Sequence, residues 1–72
     1  MRGGACHIHL NDAPRDVPAG SVLEALVREL GLADRRGVAV AVNGEVVPRR
    51  DWRARPLANE DRVLVIQATQ GG

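Results

Sequence analysis

One stretch of the sequence has the hydrophobic repeat of an amphipathic α-helix, and we predict a helix from Val22 to Leu30. Its apolar residues recur at intervals of three and four, so they share one side of the helix. They are Leu23, Leu26, Val27 and Leu30. A single helix of this kind needs a β-sheet against which to bury its apolar side. We therefore expect a sheet covered on one face by one helix.

Both ends of this helix are marked by residues that favour a boundary. Ser21 and Glu24 have the spacing of a capping box, in which the two side chains accept hydrogen bonds from backbone amides of the first turn. Gly31 favours the left-handed conformation that ends a helix, and Leu32 can then fold back onto Val27. We expect a closed helix end at Gly31.

A hairpin is predicted before the helix. Apolar and polar residues alternate from Cys6 to Leu10, which is the period of a half-buried strand. One face carries Cys6, Ile8 and Leu10, and the other carries His7 and His9. Asn11-Asp12 supplies a turn, and Arg15 to Pro18 is a short charged strand typical of a sheet edge.

A second hairpin is predicted after the helix. Val38 to Val42 is apolar throughout, so we expect a strand covered on both faces. Asn43-Gly44 predicts a type I′ turn, because both residues tolerate positive φ. Glu45 to Val47 should form a short return strand that Pro48 ends.

The segment after this hairpin has no clear periodicity. We expect Arg49 to Arg55 to be irregular, with Trp52 as a hydrophobic plug beneath it. Leu57 should anchor the loop to the core, and Asn59 to Asp61 should turn the chain into its last strand. A binding role for Trp52 is the alternative.

The last strand leads directly into Gly71-Gly72. Four consecutive apolar residues, Val63 to Ile66, favour a strand that is covered on both faces or faces a partner. The two glycines place the final carboxylate on a backbone without side chains, which can thread a narrow channel together with Gln70. A frayed chain end is the alternative interpretation of the glycines.

The order of these elements predicts an α+β fold. A hairpin, a helix, a second hairpin, a long loop and a final strand form a mixed sheet of four or five strands with the helix across one face. The right-handed crossover rule allows the first and last strands to lie parallel in the centre. This is the ubiquitin-like β-grasp arrangement. We expect one domain over residues 1–72, with 1–5 and 68–72 flexible, including the Gly-Gly tail.

Composition excludes several classes of protein. A chain of 72 residues is too small for a deep catalytic cleft. The net charge is +1 and Trp52 is the only aromatic residue, which argues against nucleic-acid binding. The apolar stretches are too short for a membrane span, and with one cysteine we expect a cytoplasmic location. All ten basic residues are arginine, so no lysine amine is available for isopeptide formation.

The histidines and the cysteine are weak candidates for chemistry. His7 and His9 share a strand face, but no Asp, Glu or Cys completes a metal site at recognisable spacing, and we expect none. Cys6 lies on the opposite, core-facing side, so a buried thiol is expected.

A partner-binding surface is a stronger hypothesis. If Val63 and Val65 face the helix, then Leu64 and Ile66 lie on the open face of the sheet beside His7 and His9, and exposed apolar neighbours mark interaction sites. The opposite register, with Leu64 and Ile66 in the core, is the alternative.

Several motifs together resemble the ThiS family of thiamine-biosynthesis sulfur carriers. They are Leu10-Asn11-Asp12, the run Val42 to Arg49 with Trp52 behind it, the spacing from Leu57 to Asp61-Arg62-Val63, and Gly71-Gly72. The resemblance covers about Cys6 to the end.

The resemblance implies a carrier that performs no catalysis and binds no cofactor. A ThiF-like adenylating enzyme would use ATP to convert the carboxylate of Gly72 into an acyl-adenylate, and a cysteine-derived persulfide would supply sulfur for a thiocarboxylate. A ThiG-like thiazole synthase would then take the sulfur. We expect a monomer between these encounters.

Two positions depart from the family's pattern. Gln70 replaces a small residue, and Asn59-Glu60 replaces a turn that more often contains glycine. A MoaD-like molybdopterin sulfur carrier, a ubiquitin-like protein modifier and a plain β-grasp binding module remain the alternatives.

Overall fold

The computed structural model describes residues 4–68. The elements, in chain order, are β1 (Ala5–Leu10), β2 (Ala13–Pro18), α1 (Leu23–Glu29), β3 (Val38–Val42), β4 (Glu45–Val46), a 3₁₀ helix (Arg49–Ala54) and β5 (Arg62–Gln67). The five strands form one sheet in the order β2-β1-β5-β3-β4. β1 and β5 are parallel and the other neighbours are antiparallel. The predicted mixed sheet, with the first and last strands parallel at its centre, is confirmed.

The hydrophobic core lies between α1 and one face of the sheet. α1 buries Leu23, Leu26 and Val27, as its periodicity predicts. The sheet contributes Cys6, Ile8, Val17, Val40, Val42, Val63 and Val65. Trp52, which is 2% exposed, and Leu57 close the core from the long connection. The predicted roles of Cys6, Trp52 and Leu57 as buried residues are confirmed.

Both hairpins close through two residues of positive φ. Asn11 and Asp12 have φ of 50° and 69°, and Asn43 and Gly44 have 53° and 86°. These are the backbone angles of type I′ turns, whose twist matches that of the flanking strands. The prediction at Asn43-Gly44 is confirmed, and the first turn has the same form.

The C-terminal end of α1 agrees with the prediction, and its N-terminal end does not. Gly31, at φ 79°, donates its N–H to Arg28, and Leu32 donates to the carbonyl of Val27, which is the Schellman pattern. The predicted capping box is wrong. Val22 is the N-cap residue without a side-chain hydrogen bond, and the Ser21 hydroxyl donates to the Pro18 carbonyl.

Backbone pairing explains why the capping box is not formed. Val22 makes an isolated antiparallel bridge with Pro56. Leu23 donates its N–H to the carbonyl of Arg55 at 2.8 Å, and Leu57 donates to Ser21 at 2.9 Å. The first free N–H of the helix is therefore satisfied by a distant segment, which a local pattern cannot reveal.

The segment Arg49–Ala54 forms a 3₁₀ helix, so the prediction of an irregular loop is wrong there. The indole Nε1 of Trp52 donates to the carbonyl of Val47 at 2.9 Å, and Asp51 donates its N–H to Pro48 at 2.8 Å. The buried, hydrogen-bonded Trp52 therefore anchors this segment in its helical turn. A short helix with a three-residue turn has too few apolar residues for its period to be visible.

The sheet has one open face. Ala39 in β3 is exposed and Ala41 is half-buried, so the expectation that β3 is covered on both faces is wrong. α1 covers only the opposite face. Within the described range, no helix has the length and apolar character needed to cross a membrane. Residues 1–3 and 69–72 lie outside the description, and most of the segments expected to be flexible fall there.

Candidate functional site

The final strand β5 occupies the centre of the sheet and is hydrogen-bonded on both sides. It pairs in parallel with β1, with His9 opposite Arg62 and Leu10 opposite Val63. On its other side it pairs with β3 along its whole length, from Val42 opposite Val63 to Val38 opposite Gln67. A strand held in this way gives the residues that follow it a defined starting point.

The side chain of Asn11 continues the pairing of β5 beyond the end of β1. Its Oδ1 accepts from the backbone N–H of Val65 at 2.9 Å, and its Nδ2 donates to the carbonyl of the same residue at 3.3 Å. The Asn11 backbone N–H also donates to Val63 at 2.9 Å. One amide side chain thus replaces a missing strand residue, and β5 remains paired after β1 has turned away.

The start of β5 is held by the buried carboxylate of Asp61, which is 8% exposed. Its Oδ1 accepts from Nδ2 of Asn43 at 3.0 Å, and its Oδ2 accepts from the Ala58 N–H at 2.8 Å. Asn43 uses its Oδ1 to accept from the Arg62 N–H at 2.9 Å. These bonds connect the turn of the second hairpin to the turn that enters β5.

The end of β5 is held by Gly37. The N–H of Ala68 donates to the carbonyl of Gly37 at 2.8 Å. Gly37 has a φ of 75°, and a Cβ at this position would lie 3.3 Å from the Cβ of Ala68. Glycine is therefore favoured here both by the positive φ and by the close approach of the chain.

Three large apolar side chains lie exposed on the open face and at its edge. Val46, Leu64 and Ile66 are 74%, 46% and 52% exposed. Ala41 of β3 lies between Val46 and Leu64 in the strand register, and Ala39 lies opposite Ile66. We call these five residues the apolar strip. Val63 and Val65 are buried, so the predicted register is confirmed and the alternative one is wrong.

The two histidines lie toward the other end of the same face. His9 adjoins Arg62 in the register and lines a shallow depression together with Leu64. His7 accepts the Glu60 N–H on its carbonyl, so it lies level with Glu60, about 20 Å along the sheet from Ile66. The face therefore brings His9 close to the apolar strip and leaves His7 apart from it.

Each histidine ring faces one carboxylate. Nδ1 of His7 lies 2.5 Å from Oδ1 of Asp16, and Nε2 of His9 lies 3.3 Å from Oε1 of Glu60. Among residues 4–68, no group of three or more His, Cys, Asp or Glu side chains is arranged to hold a metal ion. The predicted tail residues Gln70, Gly71 and Gly72 lie outside the described range.

Sequence reasoning identified Leu64 and Ile66 but missed the polar residues that hold β5. The local sequence predicts Asn11, Asn43 and Asp61 as turn residues and gives no indication of the bonds that their side chains make. Each of these side chains makes a hydrogen bond to a segment at least 18 positions away in the sequence. The one local signal is that all three occur where a strand begins or ends, where unpaired backbone groups need partners.

Comparison with known proteins gives consistent results. The ThiS family model matches residues 8–72. The sulfur carrier protein ThiS of Escherichia coli K12 is 33% identical over 67 residues, which cover 90% of this chain and 97% of that protein. A thiazole synthase of Magnetococcus marinus is 40% identical over 65 residues, but the chain spans only 20% of its length.

The fold also matches a solved structure. The crystal structure of the thiamine biosynthesis protein ThiS from Geobacter metallireducens superimposes with a TM-score of 0.76 at 26% identity, covering 92% of this chain and 99% of that one. A solution structure of a thiamine biosynthesis protein from the same organism gives a TM-score of 0.72. The ubiquitin-like β-grasp fold of the chain is therefore also that of a ThiS protein. Because the family model matches residues 8–72 as well, the chain belongs to the ThiS family.

Proposed function

We propose that this protein carries sulfur for thiazole formation in thiamine biosynthesis, on a thiocarboxylate formed at Gly72. The observation that carries the proposal is the family match, which extends to the final Gly71-Gly72. Similarity to the E. coli sulfur carrier over 97% of that protein supports it further.

The geometry of β5 suits this role. The strand is paired on both sides and is held at Ala68 by Gly37. Four residues follow Ala68, and a chain of this length reaches at most about 14 Å when extended. Gly72 can thus enter a partner's active site while the folded body remains at its surface.

The chemistry proceeds through an activated carboxylate. An oxygen of the Gly72 carboxylate attacks the α-phosphorus of ATP on the adenylating enzyme, and pyrophosphate leaves. The outer sulfur of a cysteine persulfide attacks the acyl carbon, and AMP leaves with the electrons of the C–O bond. A second thiol then attacks the cysteine sulfur of the acyl disulfide. A disulfide forms between these two sulfurs, and the thiocarboxylate leaves with the electrons of the original S–S bond. Activation divides one difficult substitution into easier steps.

The folded body offers few groups that could attack its own activated end. The sequence contains no lysine, and Cys6 is 6% exposed on the core side of β1. We propose that the protein is a substrate of its partners and not itself an enzyme, because its E. coli relative is a sulfur carrier protein.

The apolar strip is the proposed docking surface for the adenylating enzyme and for thiazole synthase. Leu64 and Ile66 lie on β5 itself, so a partner that covers them also lies beside the start of the tail. In the M. marinus relative, a segment similar to this chain is part of a thiazole synthase polypeptide, which supports a close association between carrier and synthase. His9 borders this surface, and the proposal includes His7 only at its periphery.

Intact-mass measurement tests the proposed chemistry. The protein is incubated with ATP, an adenylating enzyme of the ThiF type and a persulfide donor, and a variant lacking Gly71 and Gly72 serves as the control. The proposal is supported if one oxygen is replaced by sulfur in the full chain but not in the variant that lacks Gly71 and Gly72. Covalent conjugates would indicate a protein modifier, and an unchanged mass would indicate a binding module. Transfer of the sulfur to a pterin acceptor instead of thiazole synthase would favour the molybdopterin alternative.

Binding measurements test the docking surface. Leu64→Ser and Ile66→Ser should each weaken both complexes by about tenfold, because an apolar anchor at an interface typically contributes 1 kcal/mol or more. Ala25→Ser is the matched control, since Ala25 is exposed on α1, away from the open face. Circular dichroism checks that the variants are folded. Unchanged affinity in both strip variants would contradict the assignment.

A further inference from the structure

Arg49 joins the 3₁₀ helix to the connection between α1 and β3. Its guanidinium group donates to the carbonyl of Ala33 and, at 2.6 Å, to the carbonyl of Arg35. The same group lies 4.6 Å from the centre of the Trp52 ring, in the geometry of a cation–π contact. Arg49 therefore brings two segments that are distant in sequence into contact.

These two segments are rich in exposed arginine. We call these arginines the arginine surface, which consists of Arg35, Arg36, Arg49, Arg50 and Arg53. Asp34 and Asp51 are the acidic residues in the same two segments. With five arginines and two aspartates, the two segments together carry a net charge of +3, whereas the whole chain carries +1. In the described part of the chain, the ion pairs formed by arginine involve Arg15 and Arg28 and none of these five. The two joined segments therefore carry an excess of positive charge, and no ion pair among residues 4–68 offsets it.

The arginine surface borders the point where β5 ends. Arg36 precedes Gly37, which receives the hydrogen bond from Ala68 and lies in close contact with it. A protein that takes the residues after Ala68 into a channel must approach Ala68, and it then also approaches Arg36. Arginine side chains near such a contact act on any charged group of the partner within about 8–10 Å, the screening length at physiological salt.

We infer that the arginine surface recognises an acidic rim around the channel through which the adenylating enzyme receives the terminal glycine. The inference rests on the proposed function and adds that the partner's contact surface at this point is acidic. Opposite charges at the rim of an interface mainly raise the association rate and set the orientation of approach. Here the orientation directs the tail toward the channel, while the apolar strip supplies contact area.

Nucleic acid is a less suitable partner for the same charges. Trp52 is buried, so the arginine surface presents no aromatic side chain on which a base could stack. Asp34 and Asp51 also interrupt the positive charge, and their carboxylates would repel a phosphate backbone.

Association kinetics with the adenylating enzyme test the inference. Arg36→Glu and Arg50→Glu should each lower the association rate constant by about tenfold at low salt, and the difference should shrink as salt is raised. Arg28→Glu is the matched control, because it makes the same charge change on an exposed residue of α1. Arg36→Lys, which keeps the charge, should restore most of the rate.

Three results would overturn the inference. The first is an equal slowing by Arg28→Glu, which would make net charge alone responsible. The second is an unchanged rate in both arginine-surface variants while the wild-type protein binds and acquires sulfur; this leaves the proposed function intact. The third is a higher affinity of the wild-type protein for a short RNA duplex than for the adenylating enzyme. A wild-type protein that neither binds the enzyme nor acquires sulfur would contradict the proposed function as well.

Discussion

Replacing Asp61 by asparagine should destabilise the fold, although the two side chains have almost the same shape. Asp61 accepts two hydrogen bonds on separate oxygens, from Asn43 and from the Ala58 N–H. Asparagine has one oxygen and one NH₂ group, so it can satisfy only one of the two donors. If its oxygen stays with Ala58, its NH₂ group faces the NH₂ group of Asn43.

Rotation of the Asn43 amide cannot repair this mismatch. The Asn43 oxygen already accepts from the Arg62 N–H at 2.9 Å, and turning the amide would place two donors against each other there. Any arrangement therefore leaves at least one donor unpaired in a site where Asp61 is 8% exposed. The cost of such a group is about 2 kcal/mol of unfolding free energy. For a domain of this size, that lowers the melting temperature by about 10 °C.

Thermal and urea denaturation followed by circular dichroism measure this effect. Asp34→Asn is the control, because it removes the same charge from an exposed position and should change the stability by less than about 0.5 kcal/mol. In a double-mutant cycle, Asp61→Asn and Asn43→Ala should be coupled by about 1 kcal/mol, since they remove the same contact. If Asp61→Asn unfolds at the temperature of the wild-type protein, the hydrogen-bond reasoning is refuted.

Two further predictions concern the residues that hold the second half of β5. Asn11→Gly keeps the left-handed turn but removes both side-chain bonds to Val65; we expect a loss of about 1–2 kcal/mol and faster hydrogen exchange at the Val65 amide, with Asn11→Asp intermediate because it keeps the acceptor. Gly37→Ala should be more destabilising than Gly20→Ala and should accelerate exchange at the Ala68 amide. Both glycines have positive φ, which costs alanine about 1–2 kcal/mol, but only Gly37 would also bring a Cβ against Ala68. Equal exchange rates at Val65 in wild type and Asn11→Gly, or equal stability of the two alanine variants, would show that these contacts do not restrain the strand.

The parts of the fold that were predictable from sequence are those set by local periodicity and turn chemistry. Alternation placed Cys6 and Ile8 in the core and left His7 on the open face, and the type I′ signal of Asn43-Gly44 located the second hairpin. Periodicity also gave the buried side of α1. These features depend on residues a few positions apart, whose relative directions the backbone fixes.

The failures arise from tertiary structure, which a local pattern does not contain. Ser21 and Glu24 have the correct spacing for a capping box, but the first turn of the helix is capped by the carbonyl of Arg55, which accepts the N–H of Leu23. The apolar run of β3 predicted cover on both faces, yet α1 is the one α-helix among residues 4–68 and covers the opposite face of the sheet, so Ala39 remains exposed. Local propensity is a weak prior where tertiary pairing offers the same group another partner.

The same alternation explains why a docking surface could be predicted but its extent could not. In β5, successive side chains point to opposite faces, so Val63 and Val65 stabilise the core while Leu64 and Ile66 remain available to a partner. The positions along one strand are thus divided between the core and the proposed docking surface. The lateral neighbours depend on strand order, which placed Val46, Ala41 and Leu64 in one row and moved His7 away from it. In the proposed function, a partner that binds this row would lie directly over the strand that leads to Gly72, so binding of the surface and delivery of the tail would be linked.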